Sequence, residues 1–196
     1  MSVVGLDLAG AERRPTGFCL LKGTRAETCI VYADDEILRK TAEAKPDVVA
    51  IDAPLSLPPG RKTIEDRTGE HFRDSDRELL RKGIKFFPIT LGPMRKLTER
   101  GIRLRKALES CGFKVIEAYP GGAQDIIGIP RKQQGLDKLK VGLESLGIQG
   151  LKDGLSGDEL DAVTCAFVGK LFIEGKSEAF GPPRDAIIMP RREKTA

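Results

Sequence analysis

Residues 47–53, Asp-Val-Val-Ala-Ile-Asp-Ala, form a nearly all-apolar run closed off by Pro46 and Pro54. The run is too short for an ordinary helix and suits a strand. A strand with apolar side chains on both faces of its pleat has to be covered on both sides, so it belongs inside a sheet with helices packed above and below. That requirement makes the chain an α/β protein.

The segments around this strand give the rest of the plan. Residues 3–9, 17–21 and 28–33 read as three more strands, the last rich in β-branched residues. The short connection through Gly23 and Thr24 suits antiparallel pairing. Asp34, Asp35 and Glu36 open an amphipathic helix over 34–44, where their charges suit the positive end of the helix dipole. Residues 113–118 make a fifth strand that stops at Pro120-Gly121-Gly122, which reads as a turn, or else as the lead into a helix start whose backbone amides suit an anion. Further helices are expected at 75–81, 94–110, 136–146 and 158–173, and residues 186–189 offer a last short strand. The whole reads as a single domain over 1–196 with a helical, basic insertion at 55–110 after the fourth strand. That insertion carries 14 Lys and Arg against 8 Asp and Glu, a surplus of six in a chain whose total is +4. Such a segment suits a phosphate-tracking surface beside acidic flanks, with Arg95, Lys96 and Arg103 on its main helix. A solvated helical face is the plainer alternative.

Three strands carry one carboxylate each near their C-terminal ends: Asp7, Asp52 and Glu117. An acid inside an apolar strand loses hydration unless something compensates it. Several converging acids raise one another's pKa until a cation neutralises them, and magnesium or manganese is the natural match for carboxylate oxygens. Gly5 and Ala9 flank Asp7 on one face of its strand, leaving room for an ion. The segment Ser156 to Ala162 adds more. Ser156 and Glu159 have capping-box spacing, while Asp158 and Asp161 share a helical face. Asp161 sits a full turn inside an otherwise apolar helix, so it needs a cation or a strong donor. Asp158 also fits the simpler role of a charge at a helix start. Each strand acid could instead bond a turn or pair with an arginine.

These motifs together resemble a family of uncharacterised proteins described as predicted nucleases with the ribonuclease H fold. The matching segments are Gly5-Leu6-Asp7-Leu8-Ala9, Ile51-Asp52-Ala53-Pro54, Arg73 with Asp76, Glu117-Ala118-Tyr119-Pro120, Arg131-Lys132 and Asp158-Glu159-Leu160-Asp161-Ala162. The final helix also resembles that of RuvC-type Holliday-junction resolvases, in which an Asp-x-x-Asp-Ala segment supplies metal ligands. The resemblance implies a ribonuclease H-like mixed sheet, here of five strands, flanked by helices. It also implies a metal site. The expected reaction is phosphodiester hydrolysis with Asp7, Asp52, Glu117, Asp158 and Asp161 around two Mg2+ or Mn2+ ions. Lys132, after Gly128-Ile129-Pro130, suits contact with a phosphate or the attacking water; an exposed loop lysine is the alternative. Arg73 and Asp76 suit either a structural ion pair or a phosphate contact.

Other chemistry is disfavoured. The one histidine, His71, lies in a charged loop-rich stretch, and Cys19, Cys29, Cys111 and Cys165 are too scattered for a zinc site. The cysteines read as small core residues in a reducing compartment. No run approaches a membrane span and no leader is evident, so a cytoplasmic protein without a membrane partner is expected. The expected partner is nucleic acid, DNA or RNA, and the oligomeric state stays open, a homodimer included. Two competing readings share the scaffold. An actin-like or kinase-like phosphotransferase would need a second lobe that 196 residues hardly allow. A non-catalytic nucleic-acid-binding domain would not need every acid.

Overall fold

The structure, a computed structural model, describes residues 1–192. In chain order its elements are β1 (Ser2–Asp7), β2 (Thr16–Lys22), β3 (Arg25–Val31), α1 (Asp34–Ala44), β4 (Val48–Asp52), α2 (Asp74–Arg81) and α3 (Gly92–Ser110). Then come β5 (Val115–Ala118), α4 (Pro120–Ile127), a 3-10 turn at Lys132–Gln134, α5 (Leu136–Ser145), α6 (Gly157–Ile173), β6 (Ser177–Phe180) and β7 (Ile187–Pro190). One mixed sheet has the order β3-β2-β1-β4-β5-β7-β6. β1, β2 and β3 pair antiparallel, whereas β1, β4, β5 and β7 run parallel to one another.

The sheet therefore has seven strands among the described residues, not five. The short strand offered at 186–189 is β7, which joins the sheet beside β5, and the strand with no counterpart in the residue pattern is β6, its hairpin partner. β6 occupies an edge and buries only Phe180 of its four residues, so it carries almost no hydrophobic pattern. At α4 the alternative reading holds and the turn does not. Pro120-Gly121-Gly122 is no mere turn but the start of a helix, with Pro120 in the first turn, where its missing N–H costs nothing.

Side-chain alternation splits the core into two layers. Val4, Leu6, Val49 and Ile51 face α1 and α3 and pack with Leu104 and Leu108. Val3, Cys19 and Leu21 face α6 and pack with Leu160, Val163 and Ala166. α6 lies almost on the sheet because glycine floors it. A Cβ on Gly5 would fall 2.1 Å from the Ala162 carbonyl oxygen, and one on Gly17 would fall 1.9 Å from that of Asp158. Cys19 and Cys165 are buried as expected; Cys111, at the end of α3, is exposed and no core residue.

The segment after β4 is mostly irregular, with α2 as its one helix before α3. Much of its positive charge is already taken up by internal partners. Arg61 donates to the Glu70 carbonyl, Arg77 pairs with Glu70 and Asp74, and Arg95 with Glu65. Arg100 is only 2% exposed and donates to the Ala9 and Tyr32 carbonyls and to Asp34. It ties α3 to the end of β1. Arg103, expected on an open basic track, also reaches Asp34. Within this segment the side chains of Lys62, Arg67, Lys85, Lys96 and Lys106 have neither an ion pair nor a hydrogen bond among the described residues.

Candidate active site

β1 and β4 lie side by side and parallel, with Asp7 in register with Asp52. Residues so paired point to the same face, here the face covered by α6. Gly5 precedes Asp7 by two positions on that face, and Ala162 of α6 rests against it. Asp161, the residue before Ala162, is thereby delivered to the two strand acids. Its placement follows from a glycine as much as from its own chemistry.

Lys132 stands among these carboxylates. Its Nζ lies 2.8 Å from Asp161 Oδ2, 3.3 Å from Asp7 Oδ2 and 3.6 Å from Asp158 Oδ1. The turn that carries Lys132 is pinned on both sides. Arg131 pairs with Asp125, and its backbone N–H donates to Gln134 Oε1 at 2.7 Å. Gly157, the first residue of α6, leaves space for the lysine stem, since a Cβ there would sit 3.0 Å from Lys132 Cδ. An exposed loop lysine this is not.

Asp161 is held from its other side by Gln124 of α4, whose Nε2 donates to Asp161 Oδ1 at 2.8 Å and to Thr164 Oγ1 at 3.0 Å. Gln124 is buried, and no residue pattern points to it because α4 itself reads more readily as a turn. The capping box at α6 is present: Glu159 N–H donates to Ser156 Oγ at 3.2 Å and Ser156 N–H to Glu159 Oε2 at 3.0 Å. Glu159 also accepts from Thr28, so it serves the helix start and not the cluster.

Glu117 does not join the aspartates. Its partner in register is Ile51, one residue short of Asp52, and a shift of one position sends a side chain through to the opposite face. There it accepts two hydrogen bonds from Arg73, Nη1 to Oε2 at 2.7 Å and Nη2 to Oε1 at 2.8 Å, and a third from the Leu55 backbone N–H at 2.8 Å. Arg73 also pairs with Asp76 at 2.9 Å, and this buried trio fastens α2 and the chain after β4 to the sheet. Burial works against the guanidinium, but Glu117 and Asp76 outweigh it and raise its pKa further. The expectation of a metal ligand at Glu117 therefore gives way to a structural ion pair, since its oxygens are engaged and its face is the wrong one.

Burial raises all three strand acids: it acts on Glu117 against the pull of Arg73, and on Asp7 and Asp52 as well. Burial, followed by the charges of Asp7 and Asp161, pushes the Asp52 carboxyl well above the ordinary range, and it has no hydrogen-bond or ion-pair partner among the described residues. Burial likewise drives Asp7 up to about 7, although Lys132 pulls the other way. Lys132 is raised: burial opposes its charge, but Asp7 and Asp161 more than offset that. Among the described residues no three His, Cys, Asp or Glu side chains are drawn in to ligand spacing. Lys132 stands between them instead. An oxygen-only donor set with an uncompensated Asp52 nonetheless fits a hard divalent cation and nothing softer. Asp52 also borders a cavity of about 170 Å3, lined by Phe86, Phe87, Met94 and Tyr119, which continues towards Glu117.

A family model matches residues 5–186. The chain belongs to that family, described as "Protein of unknown function (DUF429)". All the acids discussed for this DUF429 chain lie within the matched span. No curated protein matches it. Among solved structures it is similar to Thermus thermophilus RuvC in complex with a Holliday junction substrate. That match has a TM-score of 0.54 and 12% identity, covering 96% of this chain and all of the other. A second RuvC structure from the same organism gives a TM-score of 0.52 at 12% identity over the same shares. The shared property is the fold: a RuvC-like, ribonuclease H-like sheet with its helices. Among the described residues no helix is long and apolar enough to cross a membrane.

Proposed function

We propose that this chain is a divalent-metal-dependent nuclease that hydrolyses phosphodiester bonds of nucleic acid. Its centre is built by Asp7, Asp52, Asp158 and Asp161, with Lys132 as the catalytic cation and Mg2+ or Mn2+ as the cofactor. The observation that carries this reading is Asp52. A half-buried carboxylate with no protein partner, in register with Asp7 and close to the charge of Asp161, makes sense as a ligand. The likeness to RuvC supports it at the level of fold, and that protein's bound Holliday junction makes nucleic acid the first substrate to try.

A bound ion would supply Lewis-acid chemistry at the phosphate and a more acidic water. The chain's own residues do the rest. Asp7 and Asp52 present oxygens from two rigid, hydrogen-bonded strands, which fixes their separation. Gln124 holds Asp161 in one orientation. Lys132 offers a fixed positive charge where the phosphate's own charge would grow during displacement. The 55–110 insertion within the single 1–196 domain would guide the strand, through Lys62, Arg67, Lys85, Lys96 and Lys106 and not through its paired arginines. Glu117 takes no part in the chemistry.

The test is cleavage of labelled branched and linear DNA and RNA with Mn2+ or Mg2+, alongside nucleotide turnover. Ion-dependent cutting that Asp52→Asn lowers by about 100-fold or more supports the reading. Cutting that survives Asp52→Asn, or turnover of nucleotide in its place, rejects it.

A further inference from the structure

The position of Lys132 bears on how many ions this centre takes. Its Nζ is ringed by one oxygen from each of three aspartates, at 2.8, 3.3 and 3.6 Å. Those three oxygens are Asp161 Oδ2, Asp7 Oδ2 and Asp158 Oδ1, the set that a cation at that spot would use. No other cation pairs with Asp7, Asp158 or Asp161 among the described residues. Asp161's second oxygen is engaged by Gln124. What remains for an incoming ion is Asp52, with both oxygens free, and the second oxygen of Asp7.

The lysine is built into this place and does not wander there. The Arg131–Asp125 pair and the Gln134 acceptor fix its backbone, and Gly157 clears its stem. Its side chain is 32% exposed, so two thirds of it is enclosed. A second divalent ion would have to displace an ammonium already satisfied by three carboxylates, or sit against it.

We propose that Lys132 takes the place of a second metal ion, so that the centre holds one divalent cation, on the side of Asp52 and Asp7. This rests on the nuclease reading above and specifies it: one metal and one lysine, in contrast to the two ions the motifs alone suggest. It also assigns distinct duties to the aspartates. Asp52 and Asp7 hold the ion, Asp158 and Asp161 hold the lysine, and Asp7 faces both.

The experiment counts ions on the full chain, by electron paramagnetic resonance of free Mn2+ and by titration calorimetry. Wild type should bind one Mn2+ per chain. Lys132→Met, which keeps the length and removes the charge, should bind two, or bind its second ion at least about tenfold more tightly. Lys132→Arg keeps the charge and should stay at one. Two tight ions in wild type overturn the inference while leaving the nuclease reading intact. One ion in both wild type and a folded Lys132→Met overturns it as well. No bound ion in wild type overturns both the inference and the metal centre beneath it. Should Lys132→Met not fold, Lys132→Gln gives the same comparison, and the wild-type count can still refute the proposal alone.

Discussion

At the scale of single residues the site costs stability, and the cost has a sign that can be tested. Burial and the charges of Asp7 and Asp161 hold the folded-state pKa of Asp52 above its unfolded value. A group of this kind stabilises the fold fully below its unfolded pKa, about 4, and loses that contribution as pH rises through the folded value. For Asp7 the upper end of that window is about 7. Metal-free wild type should therefore weaken between about pH 4 and 7 from this pair of acids. Asp52→Asn never ionises there. In chelator at pH 8 it should be more stable than wild type by about 0.5–2 kcal/mol, the gap closing towards pH 4. Thermal melts across that range check this, and a wild type as stable as the variant at pH 8 rules it out. Glu117 gives the opposite result. Glu117→Gln leaves Arg73 buried with Asp76 alone and should cost about 3–5 kcal/mol in urea unfolding. Its affinity for Mn2+, measured while folded, should stay within a factor of about two, since it is no ligand; a loss of about tenfold or more would return it to the centre.

At the scale of elements, β1 and α6 carry the site, and they meet at a glycine. Gly5→Val sets a branched side chain where even a Cβ would fall 2.1 Å from a backbone carbonyl, so α6 must lift or the chain must unfold. A loss of about 1–3 kcal/mol or more is expected, with Mn2+ affinity falling alongside because Asp161 moves with the helix. Unchanged melting and metal binding would mean that α6 does not need this close approach. The same pair of elements shows what could be read from residue order. Asp7, Asp52 and Asp161 declare themselves because each is an acid where the local pattern asks for an apolar residue. Glu117 makes the same local signal and means something else. Its face depends on the register of β5 against β4, where Glu117 pairs with Ile51, a relation between distant segments that no local pattern carries. Gln124 stays hidden for a related reason: Pro-Gly-Gly reads more readily as a turn until packing against Thr164 and Asp161 makes it a helix start. β6 is invisible in the residue pattern because an edge strand buries little.

At the scale of the whole molecule, the surplus of positive charge in 55–110 looks like a nucleic-acid track only until its internal partners are considered. Arg61, Arg73, Arg77, Arg95, Arg100 and Arg103 all bond inside the chain, and Arg100 is closed off entirely. Neutralising them would damage the fold before it reported on binding. Lys96 and Lys106 belong to α3 and have no ion pairs among the described residues, so they can release counterions from a phosphate backbone without breaking any internal bond. Replacing both with Gln should leave the melting temperature within about 2 °C of wild type. It should lower the slope of log affinity against log salt by about 0.9 for each phosphate no longer neutralised on duplex DNA, or about 0.7 on a single strand. Binding should weaken similarly across unrelated sequences, because a lysine on a phosphate carries no sequence information. A salt slope that does not move in the double variant, with the fold intact, would place the track elsewhere on the surface and leave α3 as a strut that Arg100 fastens to β1.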